Sequence, residues 1–442
     1  MQPDRNSHNV DAQTHVRGRS TSRFGAALAA GLLLFLVACG RDSGETAEPP
    51  IGSTSSSVPV TVEPWNASGR PQTRSQTTAA PGESPTSVGA LPTSIDGSEP
   101  TAPTGQTNGT QSNGTGDDAS GSSAGPGVVP RQGATASSGC GRPGSTGVID
   151  LTSAQPDRDR LARMYVPSNY RASTPAPLIL NLHGLMGFPS QQAAWSGFED
   201  MAETEGFLTV APQGVGLIPL WNAIGYPAAA DDIRFLNDLL DDIEQRWCVD
   251  TSRIYVAGIS NGGLMATYLA CQNPDRFAAI AVVSGLRFDR SCTASPGVDL
   301  LVIYGTADGI LPYTGGLGPT IQGLIAMQPL VEGVTLEEQA KVLAETTVDA
   351  VPESIAKFAN LDRCQTPQES VVGQRDVILH SVYECQRGRL ESYIIEGGGH
   401  NWPGTELKIA ENLQVNAEQF LGYTSMELPA SQLIWDFFRS TQ

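Results

Sequence analysis

One serine in this 442-residue chain stands in a pattern that would make it a nucleophile. The segment Gly258-Ile-Ser260-Asn-Gly262 follows the apolar run Arg253–Ala257 and opens a helical run, Leu264–Cys271. Glycines on both sides of a serine allow the sharp strand-to-helix turn that lifts a hydroxyl above a sheet. The same spacing occurs at Gly121–Gly125 with no apolar run before it. The flanking strand and helix, rather than the pattern alone, therefore make Ser260 the candidate nucleophile.

A nucleophilic serine needs a base that takes its proton, and histidine is the usual one. His183 precedes Gly184 at the end of an apolar run, where we expect it to shape the backbone, and His380 lies in a strand-like run. His400 lies instead in the loop Gly397–Gly404, where glycines let the chain approach the serine without steric conflict. His400 is therefore the candidate base. The other two histidines, His8 and His15, lie near the N-terminus.

The candidate acid that orients this histidine is Asp308. It ends the segment Gly305-Thr-Ala-Asp308, directly after the apolar run Leu300–Tyr304, so we expect it at the same sheet edge as Ser260 and His400. The chain order Ser, Asp, His is the one that α/β-hydrolases use. Three weaker candidates lie in or beside helical patterns: Asp231, Asp232 and Asp362.

A tetrahedral oxyanion would need two preorganised N–H donors. Asn261, directly after the nucleophile, should supply one of them. Leu185, in the loop His183-Gly184-Leu185 after an apolar run, should supply the other. The second assignment is inferred from its position alone.

The elements that must position these residues alternate between strand and helix from Cys140 onward. The clearest helical pattern is Asp231–Trp247, whose apolar residues fall on one face. Strands separated by helices imply a parallel sheet, and near-continuous apolar strands fit a sheet covered on both faces. We therefore predict an α/β protein with the α/β-hydrolase fold: a mostly parallel central sheet with helices on both faces. The strand-like runs are Leu178–Leu182, Phe207–Ala211, Arg253–Ala257, Ala278–Val283, Leu300–Tyr304 and Ser392–Ile395.

Four ordered motifs carry a family resemblance. They are Leu182-His-Gly184, Gly258-Ile-Ser-Asn-Gly-Gly-Leu-Met265, Gly305-Thr-Ala-Asp308 with Pro312-Tyr313, and Gly397-Gly-Gly-His-Asn-Trp-Pro-Gly404. From about Cys140 to Leu433–Phe438 the chain resembles the esterase family of polyhydroxybutyrate depolymerases and feruloyl esterases, and it is similar to the actinobacterial lipoprotein esterases of that family. The resemblance implies a serine carboxylic ester hydrolase with the triad Ser260, Asp308 and His400. Its substrate would be a small-molecule or oligomeric ester: a polyhydroxyalkanoate oligomer, a feruloyl ester or a short-chain acyl ester.

Two other functions stay open. A serine peptidase would use the same triad on the same fold, and a non-catalytic envelope lipoprotein would use the fold to bind a ligand. The intact triad residues argue against the second. One departure from the family concerns the oxyanion hole, because many members have a cysteine where this chain has Leu185.

The chain has seven cysteines, which bear on its cellular compartment, and all but Cys39 lie at or after residue 140. Six cysteines suggest three disulfides and an oxidising compartment. The family resemblance implies the pairs Cys364–Cys385, Cys271–Cys292 and Cys140–Cys248. The first pair also flanks a hairpin-like segment, which favours it independently.

A second departure from the family is the length of the region between Pro312-Tyr313 and Val351. It contains Gly315–Leu330, an apolar stretch with four glycines and without the regular spacing of a buried helix. This stretch is either a packed excursion with no catalytic meaning or a lid over an acyl site.

The N-terminus has the layout of an export signal. A basic region, 15–23, precedes the apolar run Phe24–Ala38, which is too short to span a bilayer core. Its end, Leu36-Val-Ala-Cys-Gly40, resembles a bacterial lipobox. We therefore predict a signal peptide at 1–38, a lipid on Cys39 and a disordered Ser/Thr/Gly/Pro-rich tether at 39–139. The esterase domain would be 140–442, held outside the cytoplasm at the cell membrane, and some of it could be released.

The formal net charge of −19 with only three lysines argues against a nucleic-acid partner, because phosphate binding needs clustered Lys and Arg. We expect no cofactor and no metal, since no His/Cys cluster has ligand spacing. The oligomeric state stays open.

Overall fold

The computed structural model describes residues 135–216, 218–224, 226, 229–289, 292, 297–327, 329–330, 334–345, 348–406 and 418–441, with the side chains of 342–345 left aside. The predicted signal peptide, the predicted lipid site Cys39 and almost all of the predicted tether lie outside these residues. Within the described residues, no helix is long and apolar enough to cross a membrane.

Ten strands in the described part of the chain form one sheet. Their bounds are β1 Gly147–Ala154, β2 Asp159–Val166, β3 Ala176–Leu182, β4 Leu208–Pro212, β5 Val249–Ile259, β6 Ala279–Val283, β7 Asp299–Gly305, β8 Gln368–Val372, β9 Ile378–Tyr383 and β10 Leu390–Ile395. The strand order is β1-β2-β4-β3-β5-β6-β7-β10-β9-β8. The central strands from β4 to β10 pair in parallel, and both edges are antiparallel.

This sheet confirms the predicted fold class. Every residue of β3 is buried, as expected for a parallel strand covered on both faces. The edge hairpin of β1 and β2 was not among the predicted strands. Its residues alternate between exposed and buried positions, so it carries no continuous apolar run.

Helices cover both faces of the sheet, as predicted. Their bounds are α1 Pro189–Ser196, α2 Phe198–Glu205, α3 Asp232–Arg246, α4 Asn261–Gln272, α5 Pro319–Met327, α6 Leu336–Glu345, α7 Val351–Leu361, α8 Glu418–Leu421 and α9 Ala430–Ser440. Side chains of α3, α4 and α7 fill one apolar core, and those of α2 and α9 fill the other. The side chain of Asp231 caps α3 by accepting the N–H of Arg234.

The folded part of the chain begins before the predicted boundary at residue 140. Ala136 forms a β-bridge with Asp250, and the backbone N–H of Ser137 donates to Val249 O at 2.9 Å. The hydroxyl of Ser137 also donates to Trp247 O at 2.8 Å. Residues 135–139 are therefore packed against the start of β5 rather than part of a free tether.

Three disulfides join the pairs that the family resemblance implies. Cys140–Cys248 ties the N-terminal segment to the start of β5, and Cys271–Cys292 ties the end of α4 to the loop after β6. Cys364–Cys385 closes the base of the β8–β9 hairpin.

An insertion between β7 and α7, residues 309–350, is called the cap here. Its base is closed by backbone hydrogen bonds from Gly318 N to Ile310 O at 2.9 Å and from Gly316 N to Val348 O at 2.8 Å. Within Gly315–Leu330, whose apolar residues lack the regular spacing of a buried helix, the chain forms α5. Helix α5 buries only Leu324 fully, so its few inward side chains left no strong periodic signal in the sequence.

Candidate active site

Ser260 lies at the junction of β5 and α4 in a backbone conformation that residues with side chains rarely adopt. Its φ is 57° and its ψ is −125°, and such strain typically costs about 1–3 kcal/mol. The surroundings hold it there: Ser260 N donates to Val283 O at 2.9 Å, and Leu264 N donates to Ser260 O at 3.0 Å. The serine is thus fixed at a strand-to-helix turn, the geometry of a nucleophile elbow.

The elbow also requires backbone segments to approach more closely than a side chain would allow. A Cβ at Gly262 would overlap the carbonyl oxygen of Leu182, and a Cβ at Gly285 would overlap that of Ser260. Gly262 belongs to the sequence motif, but Gly285 follows β6 and was not singled out. Its neighbour Ser284 has a φ of 49° and donates from its backbone N to Ile303 O at 3.0 Å. Ser284 and Gly285, directly after the neighbouring strand β6, therefore pack against the elbow.

Asp308 and His400 meet in a direct hydrogen bond. The distance from His400 Nδ1 to Asp308 Oδ2 is 2.7 Å, and both side chains are buried. The second carboxylate oxygen, Oδ1, accepts the backbone N–H groups of Ile310 at 2.8 Å and Leu311 at 2.9 Å. With Nδ1–H donated to the carboxylate, the Nε2 of His400 is the ring nitrogen left to accept a proton.

The loops that carry these residues lie at one edge of the sheet. Asp308 follows β7, His400 follows β10, and the two strands are parallel neighbours. Ser260 follows β5, two strands away from β7. The hydroxyl of Ser284, beside the elbow, donates to Asn401 O at 3.4 Å. The structure thus joins Asp308 to His400 directly and ties the His400 loop to the elbow through Ser284.

The two predicted oxyanion donors lie on either side of the serine. Asn261 is the first residue of α4, so its N–H has no acceptor within that helix. Leu185 lies in the turn that follows β3, where Met186 N donates to Pro219 O at 2.8 Å. A Cβ placed on Gly184 would lie 3.2 Å from Ser260 Cβ. The turn that bears Leu185 is therefore packed beside the serine.

The side chain of His183 stabilises this turn and is not part of the Asp308–His400 hydrogen bond. Its Nδ1 lies 2.7 Å from Gly184 O, and its Nε2 accepts the backbone N–H of Gly214 at 2.9 Å. Nδ1 therefore carries the proton. Burial lowers the pKa of His183 to about 4, so the ring is neutral near pH 7. His380 lies away from the edge, stacked on Tyr393 and 2.8 Å from Glu391 Oε1.

A further residue of the site gave no signal in the sequence. The side-chain amide of Asn261 pairs with the backbone of Trp221, accepting its N–H at 2.7 Å and donating to its O at 3.1 Å. The indole N–H of Trp221 donates to His183 O at 2.9 Å. Trp221 thus links both oxyanion segments, which are 40 and 38 residues away along the chain.

A cavity of about 150 Å3 opens beside Ser260. Ser260, Asn261 and Leu185 line it, and so do side chains of the cap. The cap residues include Leu317, Ile321, Ile325, Leu330, Val334 and Val348. Residues of Gly315–Leu330, two of them in α5, therefore line the same cavity as the candidate nucleophile.

The weaker carboxylate candidates lie elsewhere. Asp232 forms a buried ion pair with Arg160, with 2.7 Å between Oδ1 and Nη2. Asp362 ends α7, where burial raises its pKa to about 7. Among the described residues, no group of three or more His, Cys, Asp or Glu side chains is arranged to hold a metal ion.

Sequence comparisons find similarity to esterases. Feruloyl esterase B of Piromyces equi is 32% identical over 168 residues, which cover 36% of this chain and 31% of that protein. The bifunctional acetylxylan esterase/xylanase XynS20E of Neocallimastix patriciarum is 30% identical over 150 residues, covering 34% of this chain and 22% of that protein. The chain thus spans less than a third of each of these two relatives. A protein named "Probable feruloyl esterase C", from Aspergillus clavatus, is 30% identical over 192 residues, covering 42% of this chain and 66% of that protein.

The sequence profile described as the prolyl oligopeptidase family matches residues 235–288, which run from α3 through the elbow to the loop after β6. Among solved structures, an acetyl xylan esterase from Aspergillus awamori aligns with a TM-score of 0.42 and 14% identity, over 58% of this chain and 94% of that one. The chain has the α/β-hydrolase fold, and in sequence it is feruloyl esterase-like. The predicted resemblance is confirmed to that extent, while its likeness to polyhydroxybutyrate depolymerases and lipoproteins stays a prediction.

Proposed function

We propose that this protein is a serine carboxylic ester hydrolase whose triad is Ser260, His400 and Asp308. One observation carries the proposal: a strained serine elbow shares a sheet edge with a buried Asp–His pair whose Nδ1···Oδ2 distance is 2.7 Å. A carboxylate in this position holds the imidazole in the tautomer whose Nε2 can accept a proton.

The reaction would proceed in two acyl transfers. Ser260 Oγ attacks the ester carbonyl carbon while His400 Nε2 takes its proton, and the N–H groups of Asn261 and Leu185 stabilise the oxyanion. His400 then gives the proton to the leaving alcohol, and the acyl group stays on the serine. A water molecule, deprotonated by His400, releases the acid by the same route. No cofactor takes part in these steps.

The substrate classes that the relatives suggest are esters of small acids. Feruloyl and acetylxylan esterases are among the similar proteins, and feruloyl esters, short-chain acyl esters and polyhydroxyalkanoate oligomers are the candidates for this chain. The chain overlaps those relatives only in part, so the apolar cavity beside Ser260 is the better guide to the acyl group.

The serine peptidase remains the second candidate, because the matching profile is that of the prolyl oligopeptidase family. We expect the purified protein to hydrolyse p-nitrophenyl acetate and butanoate, and to leave the matched p-nitroanilides uncleaved. A serine-reactive phosphonate should label Ser260 and spare Ser123, as read by peptide mass spectrometry. Amide turnover at the ester rate would favour the peptidase. Absence of both turnover and labelling would favour the non-catalytic binding protein.

We also propose that the protein is extracytoplasmic and lipid-anchored through Cys39. The three disulfides support an oxidising compartment, and the lipobox-like end of the apolar run supports the anchor. The mature protein should partition into detergent and should begin at Cys39, and Cys39→Ala should abolish labelling by a fatty-acid probe. Recovery of the wild-type protein wholly in the aqueous phase would contradict the anchor.

A further inference from the structure

The cavity beside Ser260 is lined mostly by aliphatic and aromatic side chains, and its polar side chains are Ser260, Tyr226 and three amides. Each amide is bound to the protein itself. Asn261 pairs with the backbone of Trp221, and Asn222 accepts Tyr226 N at 2.7 Å while donating to Tyr226 O at 3.0 Å. Gln339 accepts Leu330 N at 2.5 Å and donates to Ile325 O at 3.1 Å. Each amide therefore uses at least one acceptor and one donor on the protein itself, which fixes its orientation in the wall of the cavity.

The residues that line this cavity indicate which part of the ester enters it, the acyl group or the alcohol. Ser260 and both oxyanion donors, Asn261 and Leu185, line the cavity, whereas His400 and Asp308 do not. The alcohol leaves toward His400, because that imidazole must protonate its oxygen. The acyl group, which stays on Ser260, therefore extends away from His400 into the cavity.

Another part of the cavity lining is contributed by the cap. Leu317, Ile321 and Ile325 line the cavity, and Gln339, itself buried, ties α6 to the end of α5 and to the backbone beyond it. The transfer of a methylene group from water into such surroundings lowers the free energy. A phenolic hydroxyl would lose its hydration there, and most of the side chains that line the cavity could not hydrogen-bond to it.

We propose that the acyl site takes an unsubstituted aliphatic chain rather than a hydroxycinnamoyl group, and that α5 sets the chain length. The proposal rests on the esterase function proposed above and names its substrate class. Each added methylene should raise kcat/KM roughly threefold to fourfold until the chain meets α5.

The test compares kcat/KM for p-nitrophenyl esters from acetate to decanoate, for acetate esters of alcohols of the same lengths, and for p-nitrophenyl ferulate. We expect the rise along the acyl series and none along the alcohol series, with ferulate below butanoate. A flat acyl series, or a rise with the alcohol only, would overturn the proposal. Faster turnover of p-nitrophenyl ferulate than of the octanoate would also overturn the proposal. Loss of that turnover in Tyr226→Phe would identify the cavity as an aromatic site.

Variants of α5 test its part in setting chain length. Ile321→Trp should lower the octanoate-to-acetate ratio of kcat/KM by tenfold or more, and Ile325→Ala should move the optimum to longer chains. Ala326→Trp, at an exposed position of the same helix, is the matched control and should keep the wild-type ratio. Unchanged ratios in both cavity variants would show that α5 does not set the length. If the wild-type protein hydrolyses none of the esters, the esterase function itself fails and this proposal falls with it.

Discussion

The cap and the floor of the site are built in different ways, where the floor means the loops and turns at the sheet edge that carry His183, Ser260, Asp308 and His400. On the floor, backbone groups do most of the positioning: Ser260 is held at a φ of 57°, Gly285 lies against its carbonyl oxygen, and two N–H groups fix Asp308. In the cap, α5 buries only Leu324 fully and meets the cavity with half-buried aliphatic side chains. The floor is therefore intolerant of change, while the cap can change its side chains without disturbing the sheet. We infer that chemistry is set by the floor and acyl preference by the cap.

The largest effect should come from the nucleophile. We expect Ser260→Ala to lower kcat by about 10⁵-fold or more, because Ser260 is the group that forms the acyl-enzyme in the proposed mechanism. Circular dichroism and the melting temperature should stay close to wild type, with Ser123→Ala as a control that leaves activity unchanged. An active Ser260→Ala variant would place the nucleophile elsewhere and remove the basis of the comparison.

The next effect concerns the acid on the floor. Asp308→Asn keeps the size of the side chain but no longer favours the imidazole tautomer with its proton on Nδ1, and we expect a loss in kcat on the order of 10⁴-fold. Asp362→Asn, a buried aspartate at the end of α7, is the matched control and should cost less than threefold. A loss below tenfold in Asp308→Asn would point to another carboxylate.

A smaller effect should appear in the stability of the floor below neutral pH. Burial lowers the pKa of His183 to about 4, whereas an unfolded histidine titrates near 6.5. Between these values the unfolded state binds more protons than the native state, so the free energy of unfolding falls as the pH drops through this window. From pH 7 to pH 4.5, His183 should contribute about 2–3 kcal/mol of this loss.

Thermal unfolding at these two pH values checks the His183 prediction. His183→Gln should be less stable than wild type at pH 7, because the hydrogen bonds of the ring with Gly184 O and Gly214 N are altered, but its melting temperature should fall less on acidification. The exposed substitution Glu337→Gln in the cap is the control and should keep the wild-type pH dependence. Equal pH dependence in His183→Gln and wild type would show that His183 is not the group that titrates.

The smallest effect should lie in the cap. Gln339→Met removes the amide that pairs with Leu330 N and Ile325 O, which leaves two backbone groups without that partner at a cost of about 1–3 kcal/mol each if they stay buried. We expect kcat/KM for p-nitrophenyl octanoate to fall roughly threefold to tenfold, with a far smaller change for acetate. A parallel fall for both esters would mean that the cap supports the floor, and the two regions would no longer be separable.

The sequence by itself determined the parts of this protein whose signals are local. The central strands are short apolar runs because both of their faces are covered, and the elbow shows as glycines spaced around Ser260 between a strand and a helix. Asp308 and His400 could be selected because each follows such a run. Their side chains had to meet once β7 and β10 were parallel neighbours.

Only the tertiary structure decided the parts that depend on partners far apart in the chain. Trp221 holds both oxyanion segments, Ser284 reaches the loop of His400 over 117 residues, and Gln339 fastens the cap over the cavity. None of these residues stands in a recognisable motif, because a tryptophan, a serine or a glutamine has many possible partners. Their roles follow from the backbone groups that folding brings within hydrogen-bond distance, and no local pattern encodes that distance.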